Sequence, residues 1–366
     1  MLESEPEMAI DLPEDILINI FSRMPAKSVG KCWCLSRSWR TLLSTPYFIK
    51  YHLAQNKIRP HDNLILKRGG LLYSIATVAI VATVEDVIAS GRIRLPGFWE
   101  DVVCSCDGLV LLVKSSKRKT ENFLVNPVTL SMARIPTCPL EIENDGASTL
   151  GFGYDSLADD YKIGYLPCDY KANVSKRGCT ETFMGVYSVK LGAWKTVKSH
   201  PYRYSAYSHG AFVNGAIHWL AAKSKVGKLG NWCVSALNLA CETFFEIPIP
   251  IPSRQEKYLK IVCLRGCLCV FNLLAGGSTD IWIMEKYDVA GDWIKSYHVY
   301  SEVWLIPLCF IEREEVVAID IEGILIVLNL RDQTLRDLYV FVDVFEEFRT
   351  GCSFLESLVE PTFSGV

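Results

Sequence analysis

The closest set of metal-ligating side chains is Cys263-x₃-Cys267-x-Cys269. A zinc site normally takes four ligands delivered as two pairs, often with histidine. Here there is no second pair and no neighbouring His, so a metal site is not expected. The fourteen cysteines otherwise scatter, as Cys104, Cys106, Cys168, Cys179, Cys233 and Cys309 show, which suits small hydrophobes filling strand faces. The six histidines (His52, His61, His200, His209, His218, His298) lack metal-ligand spacing, and His218 falls inside an apolar run, where a hydrogen-bonded structural imidazole is expected. Gly151-x-Gly153 is a fragment of a dinucleotide fingerprint without its third glycine or following helix. Asp155, Asp159 and Asp160 could hold a cation, but a solvated loop before a strand at 161–166 accounts for them. Lys114, Lys117, Arg118 and Lys119 form the densest basic cluster. It reads as the soluble tip of a hairpin between Val113 and Phe123, rather than a nuclear-localisation signal or acidic-partner patch. Asn173-Val174-Ser175 has the form of a glycosylation acceptor. Neither a G-x-S-x-G elbow nor a P-loop is present. No catalytic residue, cofactor or metal is expected.

Bulk properties narrow the partners. The 366 residues carry 38 Lys and Arg against 41 Asp and Glu, a net charge of −3, so nothing draws the whole chain to nucleic acid or a membrane surface. With 50% hydrophobic and 22% charged residues, a large core is expected. The start, Met1-Leu2-Glu3-Ser4-Glu5-Pro6-Glu7, is acidic and unlike a secretory signal. The longest charge-free apolar run, 71–84, is shorter than the roughly 20 residues of a spanning helix and rich in β-branched side chains, so it predicts buried strands. Abundant thiols without a signal point to a reducing compartment, cytoplasm or nucleus.

Two textures divide the chain. Asp11-Leu12-Pro13-Glu14-Asp15 has the proline and acidic residues of a helix start. Ile16, Leu17, Ile20, Phe21 and Met24 then recur at helical spacing, and Pro25 stops the helix. Further helices are predicted over 27–35 and 38–43. Three short helices cannot bury all this apolar surface among themselves, so something else should cover Leu12, Ile16, Ile20 and Phe21. A polar joining segment is expected at 55–62.

After residue 63 strands take over. Five turn-linked pairs are predicted: 123–127 with 131–136, 185–191 with 193–197, 234–239 with 243–248, 285–289 with 292–297, and 324–330 with 334–340. Several are preceded by a second hairpin, through Asp107-Gly108, Asn214-Gly215 and Arg265-Gly266; Asn-Gly is the strongest short hairpin signal. Four strands per unit at a period of about 50 residues describe β-propeller blades. A sixth is expected from 63–93 together with 352–359, closing the ring with strands from both ends. The fold class is therefore α+β multidomain: a three-helix unit over 8–54 and an all-β, propeller-like domain of about six blades over 63–360.

The first stretch resembles a plant-type F-box, through Leu12-Pro13-Glu14-Asp15, Pro25-x-Lys27-Ser28, Cys34-x-Ser36-x-Ser38-Trp39-Arg40 and Pro46-x-Phe48-Ile49. The remainder resembles the kelch-like F-box-associated domain of plants. That likeness runs through Asn126-Pro127, Gly151-Phe152-Gly153-Tyr154-Asp155, Asp160-Tyr161-Lys162 and Phe212-Val213-Asn214-Gly215-Ala216-Ile217-His218-Trp219-Leu220. It continues through Ile281-Trp282-Ile283-Met284 and Glu356-Ser357-Leu358.

The resemblance implies a substrate-recognition subunit of a Skp adaptor–cullin–F-box ubiquitin ligase. The F-box would bind a Skp-family adaptor and, through it, cullin and a RING subunit; the β domain would hold a target protein. It implies adaptor contacts from Leu12, Pro13, Ile16, Leu17, Ile20, Phe21, Val29 and Trp39. Three departures stand out: Gly30 replaces a larger residue, Cys32 stands where an aromatic is common, and Trp33 where a basic residue is usual. A non-degradative F-box interaction protein, or a propeller enzyme, is the alternative. The target is expected on propeller loops, with 137–147 and 169–182 as the ones to exchange, although neither these nor 223–230 carries a recognisable ligand motif.

Overall fold

The computed structural model describes residues 12–361 apart from 59–61, 78–79, 81–90, 117–118, 141–146, 169–181, 206–207, 226–227, 252–257, 275–276, 288–291, 302–303, 312–313, 321 and 339–347. Four helices come first: α1 (Glu14–Phe21), α2 (Ala26–Cys32), α3 (Arg37–Leu43) and α4 (Pro46–Ile58). Pro13 and Pro25 stand immediately before α1 and α2, where a missing N–H costs nothing. The fourth helix is an addition to the expected three. It absorbs the first half of the expected joining segment, because Phe48, His52 and Leu53 give it a buried stripe.

Six antiparallel sheets follow. β1 (Asp62–Arg68), β2 (Leu71–Ala76) and β3 (Gly91–Ile93) belong to the sheet that also holds the last strand. β4 (Asp101–Cys106), β5 (Leu109–Ser116), β6 (Lys119–Val125) and β7 (Met132–Ile135) form the next. Then come β8 (Ala147–Asp155), β9 (Asp160–Cys168), β10 (Thr182–Ser188) and β11 (Ala193–Ser199). The third complete blade has β12 (Arg203–Tyr204) and β13 (Ala211–Val213) side by side on β14 (Ala216–Lys225), followed by β15 (Lys228–Asn238) and β16 (Phe244–Pro248). β17 (Tyr258–Leu264), β18 (Cys267–Leu273), β19 (Thr279–Met284) and β20 (Ile294–Val299) make the fourth. β21 (Leu305–Phe310), β22 (Glu315–Asp320), β23 (Leu325–Asn329) and β24 (Leu335–Leu338) make the fifth. Finally β25 (Phe348–Leu355) pairs with β1, Leu64 opposite Ser353, so the chain's two ends share one blade. The first strands β4, β8, β13, β17, β21 and β25 contact one another in turn, closing a six-bladed ring.

Each blade is buried on both faces, which explains the near-continuous apolar strands. In β5, Leu109, Leu111 and Val113 join one inter-blade core while Val110 and Leu112 join the next. The tight hairpins match their turn chemistry: Asp107 and Gly108, Asn214 and Gly215, and Arg265 and Gly266 all have positive φ, as two-residue turns of this hand require. Gly151 and Gly153 serve close packing. A Cβ on Gly151 would come within 2.7 Å of the fully buried Trp219, and one on Gly153 would strike Phe212.

The pairing expected for 285–289 is displaced. The structure pairs β19, Thr279–Met284, with β20, placing Trp282 opposite Lys295 and Ile283 opposite Ile294. Ile281 and Met284 are buried, whereas Glu285 and Lys286 are exposed charges outside the sheet. The apolar run 71–84 supplies β2; most of its second half lies outside the described residues.

Candidate docking face

Helix α1 divides its apolar residues between two directions. Ile16 (43% exposed) and Ile20 (46%) lie open at i, i+4 spacing on the helix, and Leu12 (40%), just before it, is open as well. Pro13 is exposed beside them. Leu17 and Phe21 turn the other way, into a core with Ala26, Val29, Cys32, Leu43 and Phe48. Phe21 meets Trp39 edge-on, ring centroids 5.1 Å apart, and Trp39 is half-buried. Of the eight residues implied by resemblance, then, Phe21 and Val29 stand inside and hold up the face from behind. The reason is geometric: at 100° per residue, Ile16 and Leu17 cannot share a narrow stripe. Cys32 is buried in that core, and a side chain on Gly30 would meet nothing within 4 Å.

What closes the helical core comes from the propeller. Leu358, 1% exposed, lies among Phe21, Val29 and Phe48, with Val128 of the β6–β7 turn against the same cluster. Polar contacts fix the join. Glu356 pairs with Lys27 of α2 at 3.2 Å and accepts from Asn63 Nδ2 at 2.9 Å, while its carbonyl accepts from Asn56 Nδ2 at 3.1 Å. His52 donates from Nε2 to the Met24 carbonyl at 2.9 Å and accepts at Nδ1 from Asn56; burial lowers its pKa. Two further ion pairs seat α4 on the ring, Lys57 with Asp107 and Lys50 with Asp159, both at 2.6 Å. The Lys50 ammonium, together with the Tyr154 hydroxyl, holds the Asp159 carboxyl below its usual range.

The helices thus sit on one end of the ring, at the turns after β4 and β8. Antiparallel order then places the ends of β7, β9 and β14 at the opposite end, and from these the connections 137–147, 169–182 and 223–230 depart. Residues 141–146, 169–181 and 226–227 of those connections lie outside the described residues.

Side chains that could do chemistry are tied into packing. Asp155 and Asp160, expected in a solvated loop, are 3% exposed each. Asp155 caps the Leu157 and Ala158 amides and pairs with Lys162 at 2.8 Å, and Lys162 reaches Glu242 of the neighbouring blade at 2.9 Å. Asp160 accepts from the Ser188 hydroxyl and the Lys190 amide. His218 donates from Nδ1 to the Ala211 carbonyl at 3.1 Å and accepts from the Tyr287 hydroxyl at 2.7 Å; burial holds its pKa down at about 4. Burial also pushes up the thiols of Cys104, Cys106 and Cys269. Among the described residues no cluster of potential ligands could hold a metal, no cysteine is in a disulfide, and no helix is long and apolar enough to cross a membrane.

Sequence reasoning missed two recurrent devices. The indole of Trp194 donates to the Pro136 carbonyl of the preceding blade, and that of Trp293 to Pro248, each at 2.7 Å. The signal was an Ile-Pro dipeptide ending one blade and a Trp opening the outer strand of the next. The other is an Asn just before the outer turn, at Asn126, Asn238 and Asn329, whose side chain caps two following amides.

Comparison with known proteins bears on both parts. A family model described as the F-box domain matches residues 10–51, and one described as the F-box associated beta propeller domain matches 94–361. The F-box protein CPR1 of Arabidopsis thaliana is 29% identical over 312 residues, covering 79% of this chain and 73% of that protein. An F-box/kelch-repeat protein of the same plant is 26% identical over 305 residues, covering 78% of each. Among solved structures, TolB from Acinetobacter baumannii aligns at a TM-score of 0.45 and 8% identity, covering 85% of this chain and 73% of that one.

Proposed function

This chain belongs to the F-box proteins that carry an F-box associated β-propeller, and from that membership we propose that it is the substrate receptor of a Skp adaptor–cullin–F-box ubiquitin ligase. The open side chains of Leu12, Ile16 and Ile20 carry the reading: the rest of the helical core is closed from within by Leu358, while no described residue covers these three. A Skp-type adaptor lies along them, with Pro13 and Leu17 at the edges, and links the chain to cullin and a RING subunit. The end of the ring away from the helices receives the target protein, which is ubiquitinated and degraded. The chain contributes no bond chemistry of its own. It raises the effective concentration of target lysines at the conjugating enzyme, and the ion-paired seat of α4 keeps that geometry fixed.

The test is reconstitution in the cytosol of plant cells, by capture of the chain followed by blotting for adaptor and cullin. Both co-purify with the native chain, and neither with Ile16→Asp/Ile20→Asp. Adaptor capture that survives this double substitution, with the protein folded, defeats the docking mode. Adaptor capture without cullin assigns the chain to the non-degradative class.

A further inference from the structure

On the end of the ring away from the helices, Phe98 is 72% exposed yet packed on one side against the backbone. Its ring covers Gly70, where φ is +75° and an added Cβ would strike it. The next residue, Trp99, donates its amide to the Gly70 carbonyl at 2.9 Å and packs edge-on against Phe123, centroids 5.5 Å apart. Lys114 crosses the same place: its Nζ lies 6.0 Å from the Phe123 centroid and 2.7 Å from where a Gly97 Cβ would stand. Strand register puts Lys67 on the face of β1 that carries Ile65 into this core, and Arg94 is exposed just after β3. Lys67, Arg94 and Lys114 form no ion pair with any described residue. The neighbouring carboxylates are Glu121, bound to Arg134 at 2.6 Å, Asp101, bound to His209 at 2.8 Å, and the exposed Glu100.

An exposed aromatic seated on Gly70, with Lys114 beside it and Lys67 and Arg94 on the same end of the ring, none of the three ion-paired with a described residue, is the pattern of an anchored electrostatic contact. We infer that the junction of the β1–β3 and β4–β7 blades is the target-binding surface, and that it takes an acidic segment bearing an apolar residue, which lies on Phe98 while its carboxylates meet Lys67, Arg94 and Lys114. This rests on the receptor reading above and names the chemistry of its target.

The test uses the full-length chain and a short fluorescein-labelled peptide alternating Glu with Leu, followed by anisotropy. The native chain binds it, and binding weakens as salt rises from about 50 to about 300 mM. Lys114→Gln and Phe98→Ser each weaken it about tenfold with melting temperatures retained, Tyr258→Ser at another blade has no effect, and the Gln-for-Glu peptide fails to bind. No binding by the native chain, or equal binding by both variants, overturns the inference. So does stronger occupancy by a single-stranded oligonucleotide than by the peptide. Adaptor capture through α1 is scored on the same preparations: a chain that holds adaptor but ignores the peptide loses this surface and keeps its receptor role, whereas one that holds neither loses both.

Discussion

The side-chain amide of Asn126 donates to the carbonyls of Ser357 at 3.0 Å and Val359 at 2.8 Å, and its oxygen accepts the amides of Val128 and Thr129. The residue is fully buried and every hydrogen-bonding site is used. Asn126 therefore fixes the segment that carries Glu356 and Leu358 into the helices. Replacing it with Leu leaves the Ser357 and Val359 carbonyls unpaired and two turn amides uncapped, a cost of about 3 kcal/mol. Urea unfolding measures the loss, and hydrogen exchange should show α2 and α4 opening before the blades. Unchanged exchange in the helices would separate the turn from the helical seat.

Truncation after Thr350 tests closure of the ring. It removes most of β25, exposing the edge of β1, and deletes Leu358 from the helical core. The truncated chain is expected to be insoluble or rapidly cleaved by protease. A soluble product with the native melting temperature would refute closure by the C-terminal strand.

The two directions of α1 predict opposite phenotypes. Leu12→Ala with Pro13→Ala removes exposed groups, so adaptor affinity falls by about 2 kcal/mol or more at constant stability. Val29→Ala empties part of a packed core and costs about 2 kcal/mol of stability, with adaptor affinity changing only as folding does. Calorimetric titration beside thermal melts distinguishes them; loss of affinity in a fully folded Val29→Ala would place Val29 in the contact.

Gly30 is the next case. Its departure from the family pattern leaves open space, with nothing within 4 Å of an added Cβ. Gly30→Ala should thus raise stability by about 0.5–1 kcal/mol through helix propensity alone. A fall in the denaturant midpoint would reveal a close contact at that position.

What was legible in the sequence follows the range of the interaction. Turns such as Asn214-Gly215 and strands such as β5 declare themselves through neighbours, and the ring could be counted from their spacing. The pairing of β19 with β20 was misplaced because Tyr287, apolar enough to extend a strand, instead turns inward to His218. The two faces of α1 could not be told apart, since Leu358, more than 300 residues away in sequence, decides which is inside. The roles of Asp155 and Asp160 were hidden likewise: their partners Lys162 and Ser188 become neighbours only across the blade.

His218 gives the fold a pH dependence whose sign can be worked out. In the folded chain its imidazole is buried and neutral, donating to Ala211 and accepting from Tyr287, with the pKa near 4. Once unfolded it titrates at the ordinary value of about 6.5. Between these values the unfolded chain binds the extra proton, so stability is fully present above about pH 6.5 and falls as the pH drops towards 4. From pH 7 to 5 the loss from this residue is about 2 kcal/mol. His52 and His200, also lowered by burial, add loss of the same sign. The comparison is between native chain and His218→Gln, each melted at pH 7 and pH 5, a range above most carboxylate titrations. The variant is less stable at pH 7 but should lose less on acidification. Parallel losses in the two proteins would show that the imidazole is protonated, or water-accessible, in the folded state.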